Sequence, residues 1–192
     1  MLRNEGFPDI ALAGKFRSGK DMVADYLVSR YWYEKFAFGN ELKRYAHELF
    51  DVDLDAKPRE LYQWFGQTMR ERDPDIWVRK CFALIESERE FYRTFLEEKV
   101  RIVVTDVRQM NEYERCKAEG FILIRVNAAD EIRLERAKSA GDQFDEETLN
   151  HTTEKYVDLF DVDYDIDNNG TPAELFSQLD GIMADVKADL PR

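Results

Sequence analysis

Asp9-Ile10-Ala11-Leu12-Ala13-Gly14-Lys15-Phe16-Arg17-Ser18-Gly19-Lys20-Asp21 decides the fold. Four apolar residues run into a glycine, which reads as a short strand buried on both faces. From Gly19 onward the period changes. Met22, Val23, Tyr26 and Leu27 recur at helical spacing. Strand, glycine loop and helix open a βαβ unit. The loop itself follows the pattern of a glycine, four residues and Gly-Lys, close to a Walker A loop. Its glycines let the backbone wrap so that N–H groups face phosphate oxygens, and the helix N-terminus adds its positive end. Lys20 reaches the outer phosphates. Asp21 stands where a Ser or Thr hydroxyl usually ligands Mg²⁺, and a carboxylate can take that role directly or through water.

The rest of the chain repeats the alternation. Phe36-Ala37-Phe38 reads as a second strand closed by Gly39, with Asn40 as the cap of the next helix. That helix carries Leu42, Tyr45, Ala46, Leu49 and Phe50 on one face. Pro58 opens a helix with Leu61, Trp64, Phe65, Thr68 and Met69 on one side, and Asp73-Pro74 starts another that extends toward Glu97. Arg101 to Asp106 is the strongest β signal. A helix over about 111–119 is stopped by Gly120, and Phe121 to Val126 forms another buried strand. Asp130 caps a helix that ends near Gly141, and 139–149 reads as a polar loop. Tyr164 to Asp167 alternates as a last short strand. Thr171-Pro172-Ala173-Glu174 is a capping box with Pro at the first helical position. The expected fold is α/β, a three-layer α/β/α P-loop NTPase with a parallel central sheet. Ligands then bind at the C-terminal strand edge.

Composition bounds the function. The chain has 192 residues, 44% of them hydrophobic, which suits one domain spanning 1–192 with a true core. The net charge of −12 argues against a nucleic-acid binder or an anionic-membrane binder. It leaves room for a basic pocket inside an acidic shell. Cys81 and Cys116 are too few and too far apart for a disulfide framework or a zinc site, and read as buried thiols in a cytoplasmic protein. The longest apolar run, Cys81 to Ile85, is far short of a membrane span. The first six residues show no signal-peptide apolar region.

Asp106 ends the strongest strand beside the P-loop, the Walker B position that holds Mg²⁺ through water; the alternative is a helix cap. Lys15, Arg17, Lys20, Lys43, Arg59, Arg70, Arg108, Arg125, Arg133 and Arg136 fall on or near the predicted loops. As a set they suit phosphoryl transfer between two anions, where fixed cations neutralise the transition state. His151 and Glu154 are open between an acid–base role and a helix cap. His47 reads as surface. Trp64, Phe65 and Trp77 read as core, with base stacking as the other option.

The P-loop with Asp after its lysine resembles the deoxynucleoside monophosphate kinases of phages and bacteria, in the adenylate-kinase-like superfamily. It is also similar to animal-type phosphomevalonate kinases. The resemblance covers nearly the whole chain. Phe36-Ala37-Phe38 with Leu42-Lys43 looks like the acceptor-side strand and lysine. Gly66-Gln67-x-x-Arg70-x-x-Asp73-Pro74-Asp75-x-Trp77 looks like the monophosphate-binding helical region. Asp106-Val107-Arg108-x-x-Asn111-Glu112 resembles the segment after the central strand. Arg125, Arg133 and Arg136 are similar to the strand and lid arginines. His151-Thr152-Thr153-Glu154 resembles a His-x-Ser-Glu motif. Asn168-Asn169-Gly170-Thr171 looks like a turn beside the donor base. Phe16 departs from the phosphomevalonate kinases, whose P-loops are more basic.

The resemblance implies ATP as donor, Mg²⁺, an acceptor monophosphate, an acceptor region over about 40–80 and a closing lid over about 130–155. It implies ATP phosphates at Gly14, Lys15, Arg17, Ser18, Gly19, Lys20 and Asp21, and catalysis by Lys20, Arg108, Arg133 and Arg136. It implies acceptor contacts from Phe38, Lys43, Arg59, Gln67, Arg70, Trp77 and Arg125. The donor base falls to Asn169, Gly170 and Thr171, and the metal to Asp21 and Asp106. The partners are small nucleotides, with the chain a monomer or homodimer. Two other functions fit the same motifs. One is a P-loop kinase for phosphomevalonate or dephospho-coenzyme A, and the other is an ATP-binding regulatory protein without turnover.

Overall fold

The computed structural model describes residues 6–53, 55–56, 58–141 and 156–188. Five strands form one parallel sheet: β1 (Ile10–Ala13), β2 (Tyr33–Phe36), β3 (Arg101–Val107), β4 (Ile122–Asn127) and β5 (Tyr164–Asp167). Their order is β2-β3-β1-β4-β5, so the strand that feeds the P-loop is central. Ile10 pairs with Val103 on one side and Ile122 on the other. The β1–β3 register shifts between Ala11 and Ala13, where the chain begins to leave the sheet for the loop.

Strand alternation sorts β1 onto two cores. Ile10 and Leu12 face a cluster with Val23, Ala24 and Leu27 of α1 (Lys20–Tyr31) and Leu175, Leu179, Ile182 and Met183 of α7 (Pro172–Ala188). Ala11 and Ala13 face the other, with Val78, Cys81, Phe82 and Ile85 of α4 (Ile76–Phe91) and Cys116 of α5 (Met110–Ala118). The result is the expected three-layer α/β/α arrangement. Both thiols are free and buried, and burial pushes both above the usual thiol range.

A third, smaller core joins α2 (Phe38–Phe50), α3 (Arg59–Arg72) and α4 through Leu42, Ala46, Phe65 and Trp77. Phe65 and Trp77 are therefore packing, while Trp64 lies outside with its ring edge-on to Phe50. His47 is half-buried, not plain surface. Its ring nitrogens meet the Val52 carbonyl at 3.1 Å and the Tyr62 hydroxyl at 2.5 Å, tying the two sides of the α2–α3 connection.

The second strand differs from the sequence expectation. It covers Tyr33–Phe36, and Phe38 already begins α2. The reason is a distant side chain. Both oxygens of Asp106, on β3, accept N–H groups at the start of α2, from Phe38 at 2.8 Å and Gly39 at 3.0 Å. Asp106 thus supplies the cap that Ala37 cannot, and Asn40 is not the cap. Elsewhere the boundaries agree closely. α4 continues through a π-helical stretch, Tyr92–Leu96, up to Glu97. Gly120, at φ 78°, stops α5. Thr171 and Glu174 exchange the two capping-box bonds at the start of α7. α6 (Asp130–Ser139) starts one residue after Ala129, whose N–H is bonded by the Asn169 side chain at 2.6 Å.

Candidate active site

The loop between β1 and α1 is shaped from outside. A backbone that turns its N–H groups toward a phosphate turns its carbonyls away, and those need donors. Each carbonyl from Gly14 to Ser18 has one. Lys20 Nζ donates to Gly14 O at 2.6 Å and Lys15 O at 2.9 Å. Arg133 donates to Phe16 O at 3.0 Å. Arg136 reaches Arg17 O at a long 3.5 Å. Asn168 Nδ2 donates to Ser18 O at 2.8 Å. Gly19 O then accepts the first intrahelical bond, from Val23 N.

The glycines are required by geometry. Gly19 sits at φ 105°, and a Cβ there would fall 2.0 Å from Asn168 Nδ2. A Cβ on Gly14 would fall 2.6 Å from both Ser18 Oγ and Val126 O. Arg17 holds φ 60° without being glycine, a conformation costing about 1–3 kcal/mol that a structure keeps where it is over-determined. Ser18 Oγ is the one buried side-chain polar atom without a hydrogen-bond partner among the described residues.

A cleft of about 1090 Å³ opens over this loop at the C-terminal strand edge. Among the described residues its walls carry six cationic side chains, Arg17, Lys20, Lys43, Arg59, Arg108 and Arg136, against three carboxylates, Asp21, Asp106 and Glu135. Among the described residues this lining is net positive, in a chain of net charge −12. It therefore focuses on anions.

Arg108 is fixed by its backbone. Glu112, nearly fully buried, accepts N–H from Arg108 at 2.8 Å and Gln109 at 3.0 Å through one oxygen. Burial, reinforced by nearby Asp106, pushes the Glu112 carboxyl up to about 7, against the pull of those two N–H groups and of Arg70. Arg70, which is not among the cleft-lining residues, feels the charges of Glu112 and Asp106, and burial lowers its own value.

The structure divides the expected site residues. Arg17, Gly19, Lys20, Asp21, Lys43, Arg59, Asp106, Arg108 and Arg136 line one cleft. The others do not. Lys15 pairs with Asp158 at 2.8 Å. Phe38 and Trp77 are buried in the cores, the indole N–H of Trp77 bonded to Gly66 O. Gln67 is exposed on α3 away from the cleft walls. Arg125 is engaged by Asp165, at 2.7 and 2.9 Å, and by the carbonyls of Val157 and Phe160. Buried Arg133 holds Asp130 and the P-loop backbone. Asn169 bonds to Asp167 and to Ala129 N, and Thr171 to Glu174, so the residues expected at the donor base serve a turn and a cap. His151, Glu154 and the 142–155 part of the expected lid lie outside the described residues.

Asn168 also lines the cleft, one residue before the expected donor-base contacts begin. It lies two positions after buried Ile166, so the strand period already turns it inward.

The two carboxylates expected at the metal fit it unequally. Asp106 faces the cleft beside the P-loop, and its oxygens keep lone pairs beyond the two N–H bonds. Asp21 is largely exposed at the rim and turned to Lys35, 3.3 Å away. Among the described residues no group of three or more His, Cys, Asp or Glu is placed to hold a metal ion. The donor set thus suits an ion that arrives with the nucleotide phosphates. No helix among the described residues is long and apolar enough to cross a membrane.

A search of curated protein sequences gives no match. Solved structures share the fold. Shikimate kinase from Acinetobacter baumannii in complex with shikimate has a TM-score of 0.55 at 17% identity, with 97% of each chain covered. Shikimate kinase from Aquifex aeolicus has a TM-score of 0.52 at 15% identity, covering 95% of this chain and 99% of that one. An uncharacterized protein from Eubacterium ventriosum has 0.53 at 16%, covering 94% and 98%. At such identities the likeness is one of fold. The profile of the AAA_18 family, described as an AAA domain, matches residues 10–156, from the first strand past the P-loop and the β3 carboxylate. The chain belongs to the AAA_18 family and is a P-loop NTPase of kinase-like α/β fold.

Proposed function

We propose that the protein is a kinase that moves the γ-phosphoryl group of ATP·Mg²⁺ onto a nucleoside monophosphate, a deoxynucleotide by resemblance. One observation carries this reading. The phosphate-cradling loop opens into a cleft whose far wall bears a second set of cations, Lys43, Arg59 and Arg108. A passive nucleotide binder needs the loop alone; a transferase between two anions needs both.

In this reading the triphosphate lies along Gly14 to Lys20, and the acceptor phosphate lies between Lys43 and Arg59. An oxygen of the acceptor phosphate attacks the γ-phosphorus, the bond to the β–γ bridging oxygen breaks, and ADP leaves. The acceptor is already ionised, so no general base is required. Lys20 and Arg108 sit where the transferring group passes and neutralise charge on its equatorial oxygens. Mg²⁺, held on Asp106 through water, would screen the β- and γ-phosphates. Asp21 and Arg136 complete the rim, and Ser18 Oγ has a proton to offer a phosphate oxygen.

A second reading is favoured by a specific feature. Among the described residues the cleft wall bears one aromatic ring, Phe16, and is otherwise aliphatic or polar. A small anionic acceptor bearing a hydroxyl fits such a wall, and Asp106 is the carboxylate that would take the hydroxyl proton. ADP formation against nucleoside monophosphates and small hydroxy acids separates the two. Turnover confined to the hydroxy acids would replace the first reading by the second.

A further inference from the structure

Asn168 joins three parts of the donor site. It is 3% exposed and leaves β5 directly beneath the P-loop. Its backbone N–H donates to Asn127 O at 2.8 Å, which fixes it against the end of β4. Its Nδ2 donates to Ser18 O at 2.8 Å. Its Oδ1 accepts from Arg136 Nη2 at 3.3 Å, and the same nitrogen donates to its main-chain carbonyl at 2.8 Å. The amide spends its donor on the loop and its acceptor on the arginine. No carboxylate, hydrocarbon or ammonium side chain does both at once. The space is closed on the loop side, where Gly19 has no room for a side chain against Nδ2.

We propose that Asn168 is a positioning residue for the donor phosphates: its amide locks the Ser18–Gly19 peptide of the P-loop and the guanidinium of Arg136 into one unit. The Ser18 carbonyl turned out toward Asn168 is what leaves the following N–H groups turned in toward a phosphate. The same amide aims Arg136 across the cleft. This rests on the reading of Gly14 to Lys20 as the ATP phosphate site.

Asn168→Asp is the direct test. It keeps shape and the contact with Arg136, but replaces the donor by an oxygen facing the Ser18 carbonyl. Asn168→Ser is the second variant, since its hydroxyl can donate or accept and crowds nothing. Binding of ATP and ADP is measured by titration calorimetry, melting temperature is recorded, and KM for ATP and for the acceptor are determined separately. The expected result is about a tenfold or greater loss of nucleotide affinity in Asn168→Asp, with a smaller loss in Asn168→Ser. KM for the acceptor stays within about twofold, because its cations are on other elements. Added to Arg136→Ala, Asn168→Ser should cost clearly less than it does alone, since the shared unit is already broken.

Wild-type affinity for nucleotide in a folded Asn168→Asp protein overturns the inference, as does an equal rise in both KM values. If Asn168→Asp does not fold, Asn168→Ser with wild-type nucleotide affinity overturns it. Wild-type protein that binds no nucleotide would instead overturn the underlying reading of the loop.

Discussion

The ammonium of Lys20 lies 2.6 Å from the carbonyl oxygen of Gly14, the first residue of the loop it serves. It also meets Lys15 O at 2.9 Å. The P-loop thus closes on its own lysine, two backbone carbonyls meeting the ammonium that the proposed function turns to phosphate oxygens. The residue is buried. Lys20→Met keeps the apolar stem and removes that charge. Its turnover should fall by about 100-fold or more, the scale of losing one preorganised donor. Its melting temperature should fall by no more than a few degrees, from the Gly14 and Lys15 carbonyls left without that donor. A fall of many degrees with turnover retained would mean that Lys20 is a structural pin.

The cap that Asp106 provides and the metal role proposed for it separate by substitution. Asparagine retains a carbonyl oxygen and is itself a good helix cap, so Asp106→Asn should cost about 1 kcal/mol or less in chemical denaturation. Its Mg²⁺ requirement should rise sharply and its turnover collapse. Asp21→Ala removes a rim carboxylate paired with Lys35 and should shift the Mg²⁺ titration less than Asp106→Asn does. The reverse order would move the metal role to Asp21.

Glu112 gives stability a predictable pH slope. Its folded value, about 7, lies above the usual 4.5. Between those values the native state holds a proton that the unfolded chain has released, so stability falls as pH rises across this window. Glu112→Gln keeps an oxygen for the N–H groups of Arg108 and Gln109 but cannot titrate. Unfolding free energies from pH 5 to pH 8 should decline more in wild type than in the variant. Equal slopes would show that Glu112 is ionised throughout.

Arg125 serves as an internal contrast. Its guanidinium is taken by Asp165 and two carbonyls on the side of β4 away from the cleft walls. Asp165 accordingly holds the Arg125 guanidinium above its ordinary value. Arg125→Ala should lower stability by about 1–3 kcal/mol through the carbonyls left without donors. KM for the acceptor should not change. A raised acceptor KM at unchanged stability would return Arg125 to the acceptor site.

Much of this architecture is legible in the sequence because it is local. The run Ile10 to Ala13, the glycines of the loop and the capping box at Thr171 each act over a few residues. The start of α2 is not, because its cap is Asp106, 68 residues further along the chain. The same limit governs the site. Spacing finds Lys20, which closes the glycine loop and opens α1, and Asp106, near the end of β3. It cannot tell a cation that lines the cleft, such as Arg108, from one that does not, such as Arg125. Asn168 was within reach of strand periodicity, two residues after Ile166. The turn motif points to Asn169, Gly170 and Thr171 instead.

The most direct measurement is ADP formation from ATP·Mg²⁺ across deoxynucleoside and nucleoside monophosphates, phosphomevalonate, dephospho-coenzyme A and small hydroxy acids, with Lys20→Ala run in parallel. The account predicts Lys20-dependent turnover with one or more deoxynucleoside monophosphates. A folded protein that binds ATP and forms no acceptor-dependent ADP would contradict it.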